Sequence, residues 1–516
     1  MATRDFSVVV GAIALALLTA CASHVSDENE AVEVESTSLS LRRECKDNLA
    51  DIYKRPGGNQ GGALGDVVRC AKGRRIPTEE ITQALGSREF AGITAQKAVK
   101  LFRITYRTQR LAGQADFATA LVALPARKEL ANKQGMPEQD DEEEDKMKDG
   151  KRAPLVVFAH GTAPYGTACA SSKLDPLQCS TTTDKDTELV SIVAFATLGY
   201  PVIAPDYAGY VQGSRAPGYL LSEDEAHSVL DATRAMNNLR QRAVEKVVLV
   251  GHSQGGHAVL SAQSFAKSYG LSGQLVGVAA MAPFWAPVRA LGVIGAPGSP
   301  FETDPNALSF IIEFFYTHAE VLDGPGKGLQ LFDPDPTKQM LLTQHINTCN
   351  FNSSTCNFIN APPPELGLAY EFLKPDFFDA VASCGADVSA CQASQLAKTW
   401  EKRFKADRPK LDRKGAPVVL WQGAADPVVP VPFASCAYNK IASDISGGTT
   451  QFTFCGDLAA DHDQILSYDL AWVTRWIDAR AFGGAEPEAC MSYPQFAEII
   501  GPEIACPEPP SPVNVD

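Results

Sequence analysis

A serine placed between two glycines is the strongest chemical feature of the chain. Residues 251–255 read GHSQG, a G-x-S-x-G pattern, and they directly follow the apolar, valine-rich run 247–250, which is typical of a buried strand. A helix is predicted next, over 257–268. A serine on such a turn sits at strained backbone angles that expose its hydroxyl, and side chains in place of the glycines would collide with the strand or the helix. The segment therefore predicts Ser253 as a nucleophile on a strand-to-helix turn.

Two residues far downstream of Ser253 could activate it. A serine hydroxyl becomes nucleophilic when a base accepts its proton and a third group orients that base. In one recurring chain order, the acid and then the histidine follow the serine. Asp426 follows the predicted strand 417–421 in a Gly/Pro-rich turn, and His462 is the only histidine beyond it, after the predicted strand 451–454. We therefore expect Ser253, Asp426 and His462 to form a catalytic triad.

Both downstream residues also have ordinary structural interpretations. Asp426 could cap a turn or helix, and His462 could be an exposed loop residue. Their joint placement after successive strands favours the catalytic interpretation. Three nearby acids lie too close in sequence to His462 to orient it across a site: Asp457, Asp461 and Asp463.

The oxyanion formed in acyl transfer requires two backbone N–H donors. One is expected from Gln254, immediately after the nucleophile. The other is expected from the loop after the predicted strand 155–159, at Gly161 or Thr162, where Gly161 permits close approach to the substrate. Three further histidines are interpreted as packing or hydrogen-bonding residues: His160, His252 and His257.

The elements that would position these residues alternate along the chain. Predicted strands at 155–159, 201–204, 247–250 and 275–281 are separated by predicted helices at 188–198, 222–239 and 257–268. Such alternation predicts an α/β fold with a mostly parallel central sheet and helices on both faces. In residues 102–126, which precede these elements, apolar and polar residues alternate until Gly113 interrupts the pattern. This predicts an antiparallel hairpin at the sheet edge.

Residues 283–415 interrupt this alternation. They contain the breaker run APPP at 361–364, two close cysteine pairs and the aromatic run 310–316. We interpret the segment as a mostly helical cap inserted between sheet strands. The aromatic run could form an acyl-binding wall or an interfacial lid, or it could be a helix buried against the sheet domain.

Several of these segments resemble the secretory lipase (lipase A type) branch of the α/β-hydrolase superfamily. The resemblance covers about 154–481 apart from the cap. It rests on His160-Gly161-Thr162 with Cys169, Asp206-Tyr207 with Gly209, EAHSVLDA at 225–232, GHSQGGH at 251–257, and Gly423 with DPVVP at 426–430. It implies an α/β-hydrolase fold and an esterase or lipase whose substrate tunnel is roofed by the cap. The expected mechanism is an acyl-enzyme intermediate, with an ester as substrate and no cofactor.

The predicted domain organisation follows from these segments. A signal peptide, a tether and an N-terminal extension precede the two parts of the hydrolase core, which the cap separates, and a disulfide-pinned tail follows. The predicted boundaries are, in chain order, 1–20, 21–41, 42–101, 102–282, 283–415 (the cap), 416–482 and 483–516.

The N-terminus predicts export. Arg4 precedes the apolar run 8–20, which is too short for an ordinary spanning helix and fits a signal sequence. The run ends LTAC at Cys21, which looks like a bacterial lipobox, where cleavage precedes a cysteine that carries a lipid anchor. A plain signal peptide cut near Ala20 or Ala22 is the alternative. Because Ala22 stands where inner-membrane lipoproteins often carry Asp, we expect an outer-membrane or surface location.

The composition bounds the possible partners. The chain has 516 residues, 45% of them hydrophobic, with a formal charge of −15, which argues against nucleic-acid binding. The acidic run within 138–145 could bind calcium, but a solvated surface loop is the preferred interpretation because ligand spacing is missing. Oligomeric state is left open.

Twelve cysteines remain when Cys21 is set aside, an even number in a chain with an export signal. Metal binding is disfavoured, because no C-x-x-C pair occurs, and no metal site is expected. We expect disulfides between sequence neighbours: Cys45/Cys70, Cys169/Cys179, Cys349/Cys356, Cys384/Cys391, Cys436/Cys455 and Cys490/Cys506.

The preferred function is a surface-anchored carboxylic ester hydrolase, a lipase or esterase. A serine peptidase or aminopeptidase on the same fold is the nearest alternative. A non-catalytic binding lipoprotein on a hydrolase scaffold is the alternative from a different class. The presence of Ser253, Asp426 and His462 argues against this non-catalytic alternative.

Overall fold

The computed structural model describes most of the chain. The described residues are 37–39, 44–57, 61–126, 143–145, 147–148, 150–178, 184–285, 296–299, 301–349, 351–352, 357–358, 361–386, 391–392 and 394–501. Several predictions fall outside them: the signal peptide 1–20, Cys21, the acidic residues 138–142, the side chain of Cys384, and Cys179, Cys356 and Cys506.

Fifteen strands occur among the described residues. In chain order they are β1 (Thr37–Leu39), β2 (Val67–Ile76), β3 (Ala98–Gln109), β4 (Ala115–Ala126), β5 (Glu143–Asp145), β6 (Met147–Lys148), β7 (Lys151–Arg152), β8 (Leu155–Ala159), β9 (Val202–Ala208), β10 (Lys246–His252), β11 (Gln274–Met281), β12 (Phe351–Asn352), β13 (Asn357–Phe358), β14 (Val418–Gly423) and β15 (Phe452–Asp457).

Eleven of these strands form one central sheet. Six of them, in the order β9-β8-β10-β11-β14-β15, are parallel. Strands β2, β3 and β4 continue the sheet beyond β9 with antiparallel pairing, and β5 and β1 add short antiparallel strands beside β4. The mostly parallel sheet confirms the predicted fold class.

Helices cover both faces of the sheet. One apolar cluster joins helices Ser222–Arg240, Gln254–Tyr269, Val431–Asp444 and Tyr493–Ile500 to one face. The other joins helices Thr78–Ser87, Asp184–Thr197 and Gln464–Phe482 to the opposite face. Within β10, Val247 and Leu249 belong to the first cluster, whereas Val248 and Val250 belong to the second. This explains why residues 247–250 of β10 form an uninterrupted apolar run, as expected of a strand buried on both sides.

The predicted hairpin is present, but it does not form the edge of the sheet. Strands β3 and β4 pair antiparallel from Ala98↔Ala126 to Gln109↔Ala115 around a turn at Leu111–Gly113. Strand β2, from the segment 42–101 expected to pack on the core as an extension, pairs with β3. Sequence VVRCAKGRRI in β2 carries four cationic residues, so its apolar periodicity is weak and the strand was not predicted.

The cap contains five helices among its described residues: Pro305–Leu322, Pro336–Asn347, Ala369–Phe372, Pro375–Ala386 and Gln395–Ala406. They enclose a hydrophobic core of their own that includes Phe315, Phe377 and Trp400. Most of the aromatic run therefore packs within the cap, whereas Phe310 is half-buried and faces Phe284, which closely follows β11, with 5.0 Å between ring centroids. In the part of the chain described, no helix combines the length and apolarity needed to cross a bilayer.

Two disulfides correct the predicted pairing of sequence neighbours. The pair Cys45–Cys70 forms as expected. Cys169, however, bonds to Cys349 across 180 residues, which excludes the Cys169/Cys179 and Cys349/Cys356 pairs and ties the loop after β8 to the cap.

The second correction concerns the end of the chain. Cys455 of β15 bonds to Cys490, so the predicted Cys436/Cys455 and Cys490/Cys506 pairs are wrong. The segment after helix Gln464–Phe482 returns to the sheet edge, where Gly456 and Met491 form a bridge. Proximity in the fold, rather than in the sequence, therefore selects these partners.

Two further cysteines, Cys391 of the cap and Cys436 of the core, are also disulfide-bonded. For Cys436 the bond must run to a partner other than the predicted Cys455, which is taken by Cys490. For Cys391 the structure confirms the disulfide but not its predicted partner, so the pair Cys384/Cys391 stays a prediction.

Candidate active site

Ser253 lies on the turn between β10 and helix Gln254–Tyr269, at φ 56° and ψ −116°, a conformation that is unfavourable for a non-glycine residue. A Cβ atom on Gly251 would lie 2.0 Å from the carbonyl oxygen of Gly255, and one on Gly255 would lie 1.9 Å from that of Ala159. Both glycines are therefore required by close backbone packing. The Ser253 N–H donates to the carbonyl of Met281 at 3.0 Å, which anchors the turn to β11.

Asp426 and His462 are in direct contact. The Nδ1 atom of His462 lies 2.8 Å from Oδ2 of Asp426, and both side chains are buried. The other carboxylate oxygen, Oδ1, accepts the N–H groups of Val428 and Val429, each at 2.8 Å. A carboxylate can only accept, so Nδ1 of His462 carries the proton and Nε2 is left as a base. This is the tautomer that a catalytic base requires.

A hydrogen bond brings His462 to the nucleophile turn. The Nε2 atom of His252, the residue before Ser253, lies 2.8 Å from the backbone oxygen of His462. The two imidazole rings are 4.6 Å apart between centroids. The structure thus gathers all three predicted triad residues at the carboxyl ends of the parallel strands β10, β14 and β15.

The neighbouring acids have other roles. Oδ1 of Asp457 accepts the N–H groups of Ala459 and Ala460, and Oδ1 of Asp461 accepts those of Asp463 and Gln464. These contacts shape the turn that carries His462. They leave Asp426 as the acid beside the ring.

The loop after β8 also reaches the nucleophile. A Cβ atom on Gly161 would lie 3.2 Å from Cβ of Ser253, so the backbone of this loop lies directly beside the serine. Tyrosine hydroxyls hold the loop from β9 onward: Tyr207 donates to the carbonyl of His160, and Tyr210 donates to that of Ala163, both at 2.8 Å.

One predicted oxyanion donor requires correction. The Gly161 N–H donates to Oε1 of Glu188 at 2.7 Å, so it points to a buried carboxylate rather than to a substrate. Thr162 is exposed, and its hydroxyl lies 2.7 Å from that of Tyr219. Gln254 is the first residue of its helix, where backbone N–H groups lack partners within the helix. Thr162 and Gln254 remain the predicted donors.

His257 is a buried connector between the core and the cap. Its Nδ1 atom lies 2.7 Å from Oε2 of Glu225, and its Nε2 atom lies 2.6 Å from the carbonyl of Asp407 in the cap. Burial acts to lower the pKa of His257, but the charge of Glu225 and the two hydrogen bonds outweigh it, so the pKa is raised.

Neither Glu188 nor Glu225 was predicted as a site residue, although Glu225 begins the segment EAHSVLDA on which the family resemblance partly rests. Glu188 is the first residue of the predicted helix 188–198, whereas the observed helix Asp184–Thr197 begins one turn earlier and buries Glu188 completely. Glu225 lies in an acidic first turn of its helix, where acids usually stay in solvent. A local sequence pattern distinguishes neither from an exposed acid.

Three phenylalanines form an aromatic wall near the nucleophile turn. Phe284, whose N–H donates to the carbonyl of Ser253 at 3.0 Å, contacts Phe310 of the cap and Phe433 of helix Val431–Asp444, with ring centroids 5.0 and 6.3 Å away. All three rings are half-buried. Beside Phe284, a small, mostly apolar cavity of about 30 Å³ is lined by Trp285, Phe314 and Phe404, with His257, Asp407 and Arg408 as polar neighbours. The described residues contain no group of three or more His, Cys, Asp or Glu side chains able to hold a metal ion.

Several known proteins are similar to this chain. A family profile described as secretory lipase matches residues 175–289. Candida antarctica lipase A in its closed state has a similar structure, with a TM-score of 0.55 and 19% identity over 89% of this chain and 95% of that one. A comparison with curated protein sequences found no match.

Two bacterial structures are similar as well. The rice cell wall degrading esterase LipA from Xanthomonas oryzae, in a ligand-bound form, has a TM-score of 0.52 and 17% identity, over 80% of this chain and 96% of that one. A putative hydrolase from Legionella pneumophila has a TM-score of 0.55 and 18% identity, over 80% and 98%. At such identities the likeness shows the fold, and the family profile adds the lipase relationship. Together they show a fold shared with these hydrolases and, in residues 175–289, a segment that is similar to secretory lipases.

Proposed function

We propose that the chain hydrolyses carboxylic esters through an acyl-enzyme intermediate, with Ser253 as nucleophile, His462 as base and Asp426 as the group that orients the base. The observation that carries the proposal is the buried 2.8 Å contact between Asp426 and Nδ1 of His462, next to a serine held at positive φ. A strained backbone at a serine costs free energy, but it exposes the hydroxyl group as a nucleophile.

The reaction follows from this geometry. Nε2 of His462 accepts the proton of the Ser253 hydroxyl as Oγ attacks the ester carbonyl, and the developing oxyanion receives the N–H groups of Gln254 and Thr162. When the tetrahedral intermediate collapses, the C–O bond to the alcohol breaks and His462 donates its proton to the alcohol. A water molecule then repeats the sequence on the acyl-enzyme and releases the acid. The proton carrier is a residue of the chain, so the reaction needs no cofactor.

The aromatic wall favours an acyl substrate. Phe284, Phe310 and Phe433 present apolar, half-buried surface near Ser253, and the cavity beside Phe284 continues this surface between core and cap. Apolar surface of this kind contacts the apolar groups of a ligand, while a few polar contacts fix its orientation. We therefore assign this wall to the acyl chain of the ester, and we place the alcohol toward the exposed Thr162.

The test is a series of p-nitrophenyl esters from acetate to palmitate, together with a fluorophosphonate that labels activated serines. We expect ester turnover and one equivalent of label at Ser253, with no label on Ser253→Ala. The preferred chain length separates a lipase from a short-chain esterase. A folded protein that neither turns over esters nor takes up label would contradict the proposal. Turnover of aminoacyl or peptide substrates alone would instead identify a peptidase on the same fold, and binding without turnover a non-catalytic lipoprotein.

We also propose that the protein is exported and anchored by a lipid on Cys21. The apolar run 8–20, which Cys21 completes to the motif LTAC, supports this, and the matched family is described as secretory. In a bacterial host, wild-type protein should fractionate with membranes, and outer-membrane separation tests the more specific location. Cys21→Ser is expected to move the protein to the soluble exported fraction. Membrane retention of that variant would rule out the lipid anchor.

A further inference from the structure

Two buried carboxylates hold the histidines on either side of the nucleophile. Glu188 belongs to helix Asp184–Thr197 and contacts His252. Glu225 belongs to helix Ser222–Arg240 and contacts His257. The two helices cover opposite faces of the sheet, and both carboxylates are 1% exposed. Neither carboxylate takes part in the catalytic steps described above. The two carboxylates differ in how their hydrogen bonds are divided between the two oxygens.

Glu188 uses a single oxygen for two contacts. Its Oε1 atom lies 2.7 Å from the N atom of Gly161 and 2.8 Å from Nδ1 of His252. On the other side of the ring, Nε2 of His252 lies 2.8 Å from the backbone oxygen of His462. A carbonyl oxygen only accepts, so Nε2 must carry a hydrogen. The Gly161 N–H only donates, so Oε1 must accept it. One carboxylate oxygen therefore joins the loop beside Ser253 to the residue that carries the base.

We propose that Glu188 is a positioning residue for ester hydrolysis. Through Oε1 it holds the oxyanion loop, residues 160–163, at Gly161, and through His252 it holds the backbone of His462. This inference rests on the proposed function, because it concerns the geometry of that same site. Loss of these contacts should lower the rate of the chemical steps, because those steps depend on sub-ångström placement of the base and the oxyanion donors.

A glutamine at 188 cannot reproduce this arrangement. If the amide oxygen takes the place of Oε1, it accepts from Gly161 and from Nδ1–H of His252. A neutral ring then has no hydrogen on Nε2 for the His462 carbonyl, and a cationic ring would be buried without its counter-charge. If the amide nitrogen takes that place, it faces the Gly161 N–H, donor to donor. Glu188→Gln therefore loses at least one of the three contacts.

Glu225 provides a matched control, because its two oxygens have separate roles. Oε1 accepts from the N–H of Leu220 and from Nε2 of Gln254, while Oε2 faces Nδ1 of His257. In Glu225→Gln the amide oxygen keeps the first two contacts. The amide nitrogen donates to Nδ1 of His257, and Nε2–H of His257 still donates to the carbonyl of Asp407. Glu225→Gln therefore removes one buried negative charge, as Glu188→Gln does, but it preserves every one of these hydrogen bonds.

The experiment compares Glu188→Gln with Glu225→Gln on the best p-nitrophenyl ester, with rates expressed per site titrated by fluorophosphonate. For Glu188→Gln we expect kcat to fall about 10- to 100-fold with KM within about twofold of wild type. For Glu225→Gln we expect both parameters to stay within about twofold. A merely structural role would reduce the number of titratable sites or the melting temperature instead of kcat per site.

His252→Asn gives a second route to the same question and decides it if Glu188→Gln does not fold. The asparagine amide can replace Nδ1–H toward Glu188, whereas nothing replaces Nε2–H toward the His462 carbonyl. We expect kcat to fall about tenfold at unchanged KM. Wild-type kcat in this variant, or equal losses in the two Glu→Gln variants, would overturn the inference. If wild-type protein hydrolyses no ester, the proposed function fails first; if wild type and Glu188→Gln are equally active, only the role of Glu188 fails.

Discussion

Replacing His462 with alanine is expected to lower kcat for ester hydrolysis by at least about 10⁴-fold, because the Ser253 hydroxyl then has no base to accept its proton. Ser253→Ala should reach the same low rate. The double variant should be no slower than either single one, since the two residues act as a unit and their effects are not additive. The measurement is kcat on the preferred p-nitrophenyl ester.

Folding must be checked alongside this loss. His462 lies in a turn whose backbone is held by Asp457 and Asp461, and those contacts do not involve the imidazole ring. His462→Ala should therefore give a cooperative melt and a circular dichroism spectrum close to wild type. Residual activity above about a hundredth of wild type in a folded variant would be incompatible with His462 as the base.

Asp426→Asn is expected to lower kcat about 10⁴-fold, although the side chain keeps its shape. The reason lies in the two oxygens of Asp426. Oδ1 accepts the N–H groups of Val428 and Val429, so the amide oxygen of asparagine will occupy that place. The amide NH2 must then face Nδ1 of His462, where it donates. His462 is forced to carry its hydrogen on Nε2, which cannot accept a proton from Ser253.

Asp461→Asn is the matched control for this prediction. It removes one negative charge from the residue next to His462. In the described structure, the side-chain hydrogen bonds of Asp461 are those that Oδ1 accepts from the backbone N–H groups of Asp463 and Gln464. The amide oxygen of asparagine can accept the same two hydrogen bonds. We expect kcat within about threefold of wild type, because the substitution keeps both hydrogen bonds of this half-buried side chain. If Asp461→Asn and Asp426→Asn were equally slow, general loss of negative charge rather than the tautomer would be the cause. If Asp426→Asn were nearly as active as wild type, another group would have to orient the base.

Anchoring of the cap to the core bears on substrate access. The Cys169–Cys349 disulfide joins the loop after β8 to the cap, and His257 of the core bonds to the carbonyl of Asp407 in the cap. Between these attachments, Phe310 of the cap faces Phe284 beside the nucleophile turn. The cap thus contributes Phe310 to an apolar wall whose other two rings, Phe284 and Phe433, come from the segment after β11 and from helix Val431–Asp444.

Those features of the site that depend on nearby residues could be predicted from the sequence alone. The turn at Ser253 is determined by two glycines and a buried strand within a few residues of it, because close backbone packing there excludes any Cβ. The positions of Asp426 and His462 follow from the parallel sheet, which brings the ends of successive strands to one edge. Uninterrupted apolar runs, such as 247–250, indicated strands buried on both faces.

Other features depend on which side chains meet across the fold, and no local pattern encodes those meetings. Cys169 reaches Cys349 rather than Cys179 because the cap folds back onto the loop after β8. Gly161 gives its N–H to Glu188, so the oxyanion donor expected there from the loop sequence is already engaged. Whether an acid such as Glu188 is solvated or completely buried is decided by the helix and sheet packed around it. The sequence by itself thus determined the candidate reactive groups and their order along the chain, while the tertiary structure alone decided their partners, since hydrogen bonds and disulfides form between neighbours in space.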